Sequence, residues 1–352
     1  MRINRYATKR NMKKPFSKNT TVIIGSVLAI AIVCLIVFDA FLSNREFQKS
    51  TTLMNTVVSV SVEGKKSDEA GQRVLAAIGD LETRSFSRHI ASTSVSRLNE
   101  NAGQFLQCDD LMLSLAKKCI DVNEKSNGAF NPLLGKLSDM WGFGTGKEKV
   151  PDAKELQRAV EAVKGKKIVI DGKNIKIPEN TVFDLGAVGK GAACDQARSI
   201  LKTTKTKRAV ISVGGSLLLY GENESFNVGV RNPLGQATEV VGKLVLSDTC
   251  VSTSGSYERY FTENGKTYHH IINPENGYPT DNDLLSVTVV CSDGFMSDAL
   301  STACFVLGYE DSQALLEQYD AEAMFIFKDK TIKLTQSLKD SFELTDKSFK
   351  LV

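Results

Sequence analysis

The stretch FDLGAVGKG, residues 183–191, sets three glycines, one carboxylate and one lysine between a strand-like and a helix-like segment. Glycines let backbone approach a ligand, and a helix N-terminus carrying a lysine attracts phosphate. Read as structure alone, the same stretch is a tight strand-to-helix turn, and by itself it supports either reading. It is not a P-loop, because Lys190 is followed by Gly191 rather than Ser or Thr and the glycines stand too close together. The fold is therefore decided by what flanks it.

Downstream, 191–203 and 297–307 read as helices, and the apolar runs 209–213, 226–230, 286–290 and 324–327 as strands. Upstream, residues 56–62 alternate Val58, Val60 and Val62 against serines, the pattern of a half-buried strand. Ser67, Asp68 and Glu69 open a helix whose apolar face is Val74, Leu75, Ile78 and Leu81. Leu111, Leu115, Cys119 and Val122 mark a second helix, and Leu156, Val160 and Val163, after Pro151, a third. Residues 168–170 and 175–177, around Asp171-Gly172-Lys173-Asn174, form a hairpin. Strands and helices do not alternate regularly, which predicts an α+β fold with mixed or antiparallel sheets and packed helices rather than a doubly wound parallel sheet.

The chain has 352 residues, 42% of them hydrophobic and 24% charged, enough for a sizeable core. Its net charge of +3 is concentrated: Arg2, Arg5, Lys9, Arg10, Lys13, Lys14 and Lys18 precede any acidic residue. The remainder is slightly acidic, which argues against a nucleic-acid surface. The run VIIGSVLAIAIVCLIVF, residues 22–38, carries no charge and with its flanks is long enough to cross a bilayer. By the positive-inside rule, residues 1–19 form a cytoplasmic basic segment, 20–42 a transmembrane anchor, 43–52 a polar linker, and 53–352 a domain outside the cytoplasm. A cleaved signal fits less well, because the run is long and no small-x-small site follows it. Lipid attachment at Cys34 is disfavoured by Val33 before it. The seven cysteines show no CxxC or zinc spacing, and most sit in apolar segments as small buried hydrophobes.

Three further clusters carry chemistry-capable side chains. Gly214-Gly215 follows a strand and reads equally as a turn. Residues 251–259 (VSTSGSYER), 268–274 (YHHIINP) and 277–279 (GYP) hold two adjacent histidines, His269 and His270. Neighbours on a strand point to opposite faces, so one of them at most enters a given site, and a His–His zinc pair is disfavoured. In SDALST, residues 297–302, Asp298 and Thr302 stand four apart on one helical face and offer a carboxylate and a hydroxyl to a hard cation. The plain alternative for Asp298 is a helix N-cap.

In order and content these clusters resemble the ApbE family of flavin transferases, FAD:protein FMN transferases, over about residues 54–308. The family's M-G-T appears as Met54-Asn55-Thr56, and its S-x-aromatic…S-E-L-x-x-L-N segment as Ser87-Arg88-His89 followed by residues 93–99. G-x-F-D-P…W-G-F-G appears as residues 128–132 and 141–144, with the single tryptophan. D-L-G-x-x-x-K-G-x-x-x-D is residues 184–195, T-S-G-x-Y-x-R is 253–259, H-I-I-D-P-x-T-G-x-P is 270–279 and D-A-x-x-T is 298–302. The resemblance implies magnesium held by Asp298, Thr302 and the Ala187 carbonyl. It implies an FAD site lined by Met54, Ala129, Phe130, Asn131, Asp184, Lys190 and Ile272, with His270 as base and Lys190 as a second positive charge. The implied reaction moves FMN from FAD to a Thr or Ser hydroxyl of a membrane or extracellular electron-transfer protein, releasing AMP. FAD pyrophosphatase activity and non-catalytic FAD binding are the alternatives that the same site admits. No D-G-x-S/T-G-A-T acceptor motif occurs in the chain, so the acceptor is a separate protein. Departures from the pattern are Asn55 for glycine, His89 for the aromatic residue, Ser216 for an acid after the double glycine, and Asn273 for aspartate.

Overall fold

A computed structural model describes residues 45–352. The expected basic segment and anchor lie outside the described residues, and among those described no helix is long and apolar enough to cross a membrane. The remainder is a mixed α+β fold, as the irregular order of strands and helices implied. In chain order its first strands and helices are β1 (Glu46–Leu53), β2 (Thr56–Glu63), α1 (Ser67–Asp80), α2 (Ser94–Glu100), β3 (Leu106–Gln107), α3 (Asp110–Lys125), α4 (Gly135–Trp141) and α5 (Ala153–Val163). There follow β4 (Val169–Asp171), β5 (Asn174–Lys176), α6 (Gly189–Thr203), β6 (Arg208–Val213), β7 (Ser216–Tyr220), β8 (Phe226–Arg231), β9 (Val240–Leu246) and β10 (Thr249–Gly255). The chain ends with β11 (Tyr260–Glu263), β12 (Lys266–His269), β13 (Leu284–Cys291), α7 (Gly294–Leu307), α8 (Tyr309–Gln318), β14 (Glu322–Phe327), β15 (Thr331–Leu334), α9 (Gln336–Lys339), β16 (Phe342–Leu344) and β17 (Lys350–Leu351).

Nine strands form the main sheet in the order β1-β2-β6-β7-β10-β13-β14-β15-β17. Its pairings are antiparallel except β15 with β17. Alternation decides the faces: Val58, Val60 and Val62 of β2 and Ala209, Ile211 and Val213 of β6 turn toward the helices and are buried. The other face, through Leu219, Val251, Met324 and Ile326, packs on the three-stranded sheet β16-β9-β8 in a second apolar cluster. Central β13 is covered on both sides, which is why its sequence LLSVTVVC is almost continuously apolar.

Residues 43–52 are expected as linker, but from Glu46 the chain forms β1, paired with β2 over its whole length. As an edge strand it has one covered face, so its polar sequence EFQKSTTL shows only Phe47, Thr51 and Leu53 half-buried. Phe47 fits over Gly71 of α1, where a Cβ would stand 2.0 Å from its ring.

Candidate active site

Two hairpin turns, Met54–Asn55 between β1 and β2 and Gly214–Gly215 between β6 and β7, sit at one end of the main sheet, where β10 also ends. Met54 and Asn55 have φ of +54° and +56°, a two-residue turn with both positions left-handed. Asparagine is among the few residues that accept this conformation, so Asn55 can make the turn at the position where the family motif carries glycine. Gly214, at φ +55°, comes so close to Thr56 that a Cβ would stand 2.6 Å from its Oγ1.

Helices α6 and α7 meet at this end through two glycines. A Cβ on Gly191 would lie 1.9 Å from Gly294 O, and one on Gly294 would lie 2.4 Å from Gly191 O. Asp195 locks the crossing, its carboxylate accepting Gly294 N at 2.7 Å and Phe295 N at 2.9 Å. This close approach brings Lys190 Nζ to 3.1 Å from Asp298 Oδ1, while Oδ2 accepts Gly191 N at 3.0 Å. Asp298 is only 2% exposed. It is not an N-cap, since α7 is capped by Asp293 through Met296 N. A turn later, Thr302 Oγ1 lies 3.2 Å from Ser254 Oγ, which also meets Ser301 Oγ at 2.8 Å. Beneath, Ser252 hydrogen-bonds Ser216 and Ser297 at 2.9 and 2.8 Å, so Ser216 joins a neutral hydroxyl chain where an acid often stands.

The loop before α6 is tied to three other segments. Asn99 clamps Phe183 in both directions, donating to its carbonyl at 3.0 Å and accepting from its N–H at 2.7 Å. Asp184 accepts Gly186 N at 2.8 Å, pairs with Arg88 Nε at 3.1 Å, and donates its own N–H to Pro132 O at 2.8 Å. That last bond holds 129–132 beside the loop. Phe130 is buried there, and Asn131 Oδ1 accepts Leu133 N at 2.9 Å. No N–H of the first turn of α6 donates to the Ala187 carbonyl: Gly191 N goes to Asp298 and Ala192 N to Val188. Met54 reaches the start of α6, its Cε 3.2 Å from where a Cβ on Gly189 would stand.

The histidines separate as strand alternation requires. His269 Nδ1 accepts Ile271 N at 3.3 Å, so its Nε2 carries the proton donated to Thr280 O at 2.9 Å; it is a structural brace. His270 is half-buried, its Nδ1 is sealed from solvent without a partner among the described residues, and desolvation, then the charges of Arg259 and Lys190, push its pKa down to about 3. Its ring is therefore neutral at physiological pH. Ile272 is buried with its backbone paired to Pro279, and Asn273 Oδ1 caps the following turn through Glu275 N at 2.9 Å, as an aspartate would.

The structure thus gathers Met54, Lys190, Asp298, Thr302 and His270 at one end of the sheet, with Ala187 three residues before Lys190, while Asp184 and Asn131 spend side-chain oxygens on local backbone. Arg88 and Ser254 lie inside quoted motifs, but the sequence gives them no role, because the partners Asp184 and Thr302 lie far along the chain. Among the described residues there is no cluster of three or more His, Cys, Asp or Glu, so a cation here would rest on one carboxylate, neutral oxygens and water. A groove of about 220 Å³ lined by Arg208, Leu217 and Phe226 lies on the far face of the sheet and contains none of these residues. The six cysteines in the described region are free thiols, five of them buried, as expected of small hydrophobes.

Fold and site together define an α+β protein with a lysine–carboxylate centre at a glycine-built helix crossing. The sequence profile of the ApbE family matches residues 54–325, and the chain belongs to the ApbE family. It is 31% identical over 331 residues, 87% of this chain and 91% of the relative, to the FAD:protein FMN transferase of Treponema pallidum. It is 30% identical to one from Klebsiella pneumoniae, over 88% of this chain and 98% of the relative. The crystal structure of the ApbE protein of Thermotoga maritima superposes with a TM-score of 0.78 at 27% identity, covering 84% of this chain and 99% of that one. With such full-length relatives, the chain is a transferase.

Proposed function

We propose that this chain moves the FMN moiety of FAD onto a Ser or Thr hydroxyl of a separate protein, with magnesium, and releases AMP. The observation that carries this reading is the buried Asp298 carboxylate, facing Lys190 at 3.1 Å with the Thr302 hydroxyl one turn further along α7. Asp298, Thr302 and the undonated Ala187 carbonyl are all oxygen ligands, the kind that suits a hard divalent cation which keeps waters and phosphate in its shell. Bound there, magnesium would supply neutralisation of diphosphate charge.

The chain's own residues account for the rest. Lys190 adds a positive charge fixed by Asp298, so it needs no reorganisation when phosphate arrives. In the reaction the acceptor oxygen forms a bond to the phosphorus of the FMN moiety while the bond from that phosphorus to the oxygen of AMP breaks. AMP leaves with the electron pair, and the hydroxyl proton passes to a base. His270, neutral and with a free Nδ1, is the group in the site able to take it. Burial and neighbouring cations keep its basicity low in the free chain. A bound diphosphate offsets those cations and raises it when the hydroxyl is in place.

The basic segment and apolar run 20–42 support a single-pass anchor with the described domain outside the cytoplasm. From it, β1 carries the chain directly to the Met54–Asn55 turn, a span of about 26 Å for its length. Acceptors that reach this end of the sheet are extracytoplasmic or membrane-bound electron-transfer proteins. The test is to incubate the full chain with FAD, magnesium and a candidate acceptor, and to measure AMP. AMP release that Asp298→Ala lowers by about 10²-fold or more, and that EDTA abolishes, supports the reading. FMN and AMP without modified acceptor would indicate hydrolysis, and full activity in EDTA would refute the metal.

A further inference from the structure

Arg259 stands in the turn between β10 and β11, and its carbonyl accepts His270 N at 3.1 Å, which pins it beside the histidine. Its stem runs along Gly144: a Cβ there would lie 3.5 Å from Arg259 Cδ and 3.8 Å from Nε. Among the described residues Arg88 pairs with Asp184 and Asp139, Arg198 with Asp248, Arg208 with Glu63, and Arg231 with Glu258, whereas Arg45, Arg97 and Arg158, away from the site, form no ion pair. The Arg259 guanidinium makes no ion pair and no hydrogen bond among the described residues, although Glu258 is its chain neighbour, because Glu258 is taken by Arg231 at 3.4 Å. Its charge nonetheless bears on the half-buried His270 ring, more strongly than that of Lys190. The buried, unpartnered Nδ1 of that ring is the second sign that this side of the site is completed by a ligand. Lys190 and Arg259 against the single carboxylate Asp298 leave an excess positive charge around His270, the complement of a phosphate group.

We infer that Arg259 is a further ligand-binding residue of this site, whose guanidinium takes a phosphate oxygen of the dinucleotide from the side opposite Asp298. The inference rests on the reading of the site as one for FAD. A guanidinium suits this task because its fork can make two parallel charge-assisted hydrogen bonds to a phosphate, which an ammonium cannot. Glycine at 144 leaves the stem room to swing toward the ligand.

The test uses the full chain with EDTA to stop turnover, and three probes: FAD, ADP (a diphosphate without flavin) and riboflavin (a flavin without phosphate). In Arg259→Gln, affinity for FAD and ADP should fall by about 10- to 100-fold, the worth of a charge-assisted pair. Riboflavin affinity should stay within about twofold, the melting temperature should hold, and Arg259→Lys should lie between the two. Unchanged FAD and ADP affinity in Arg259→Gln overturns the assignment of Arg259 alone. Loss of riboflavin binding in parallel, or a lowered melting temperature, overturns it in favour of a structural role. A wild-type chain that binds neither FAD nor ADP overturns the underlying reading and this inference with it.

Discussion

At the scale of single residues, the site is a problem in burying charge. Asp298 is almost wholly removed from water, and Lys190 with Gly191 N compensates it; without that compensation a buried carboxylate costs several kcal/mol. His270 is the opposite case, half-buried, neutral and without an acidic partner. In the folded chain its pKa is about 3 against an ordinary 6.5, so between those values the unfolded chain binds a proton that the folded chain does not. Its contribution to stability is therefore complete above about pH 6.5 and is lost as pH falls toward 3. Melting temperatures measured at pH 7.5 and 4.5 should drop less in His270→Gln than in the wild type; equal drops would contradict a ring that the fold holds neutral. The sequence made these residues legible as candidates because Asp298 and Thr302 share a helical face and His270 is one of only three histidines. It could not show that Asp298 faces Lys190, 108 positions earlier.

Between elements, the helix crossing is what makes the site. A methyl group at Gly191 would run into the backbone of Gly294, not a movable side chain, so α6 and α7 would have to separate. Gly191→Ala should lower stability by about 1–3 kcal/mol or more by overpacking and slow transfer through displacement of Lys190. Thermal melts and AMP release check this, and a variant with wild-type values for both would show that the crossing tolerates separation. Periodicity located helices and strands well where one face is apolar, as in β2 and α5. It failed for β1, because an edge strand covered on one face carries too few apolar positions to alternate visibly. A chain starting at residue 45 should therefore keep wild-type melting behaviour and, under the proposed anchoring, leave the membrane fraction. One starting at 54, which deletes β1 and bares β2 and Gly71, should melt several degrees lower. Equal stability of the two would show that β1 contributes no more than a linker.

For the whole molecule, the main sheet acts as a scaffold whose one end collects two hairpin turns, the end of β10 and the junction of α6 and α7. Motif order along the chain revealed the family, because each motif is a local run. The convergence of those runs was not legible, since it depends on strand pairings between residues about 150 positions apart, such as Val58 with Val213. This arrangement is what the proposed transfer needs: fixed groups at one sheet end to meet substrate charge. The most direct measurement is the intact mass of a candidate acceptor protein after incubation with the full chain, FAD and magnesium, followed by mapping of the modified peptide. The account expects one FMN added to a Ser or Thr, one AMP released per addition, and neither when Asp298 is Ala. An acceptor whose Thr or Ser site is intact and accessible, yet gains no mass while FAD is consumed to FMN and AMP, would contradict it.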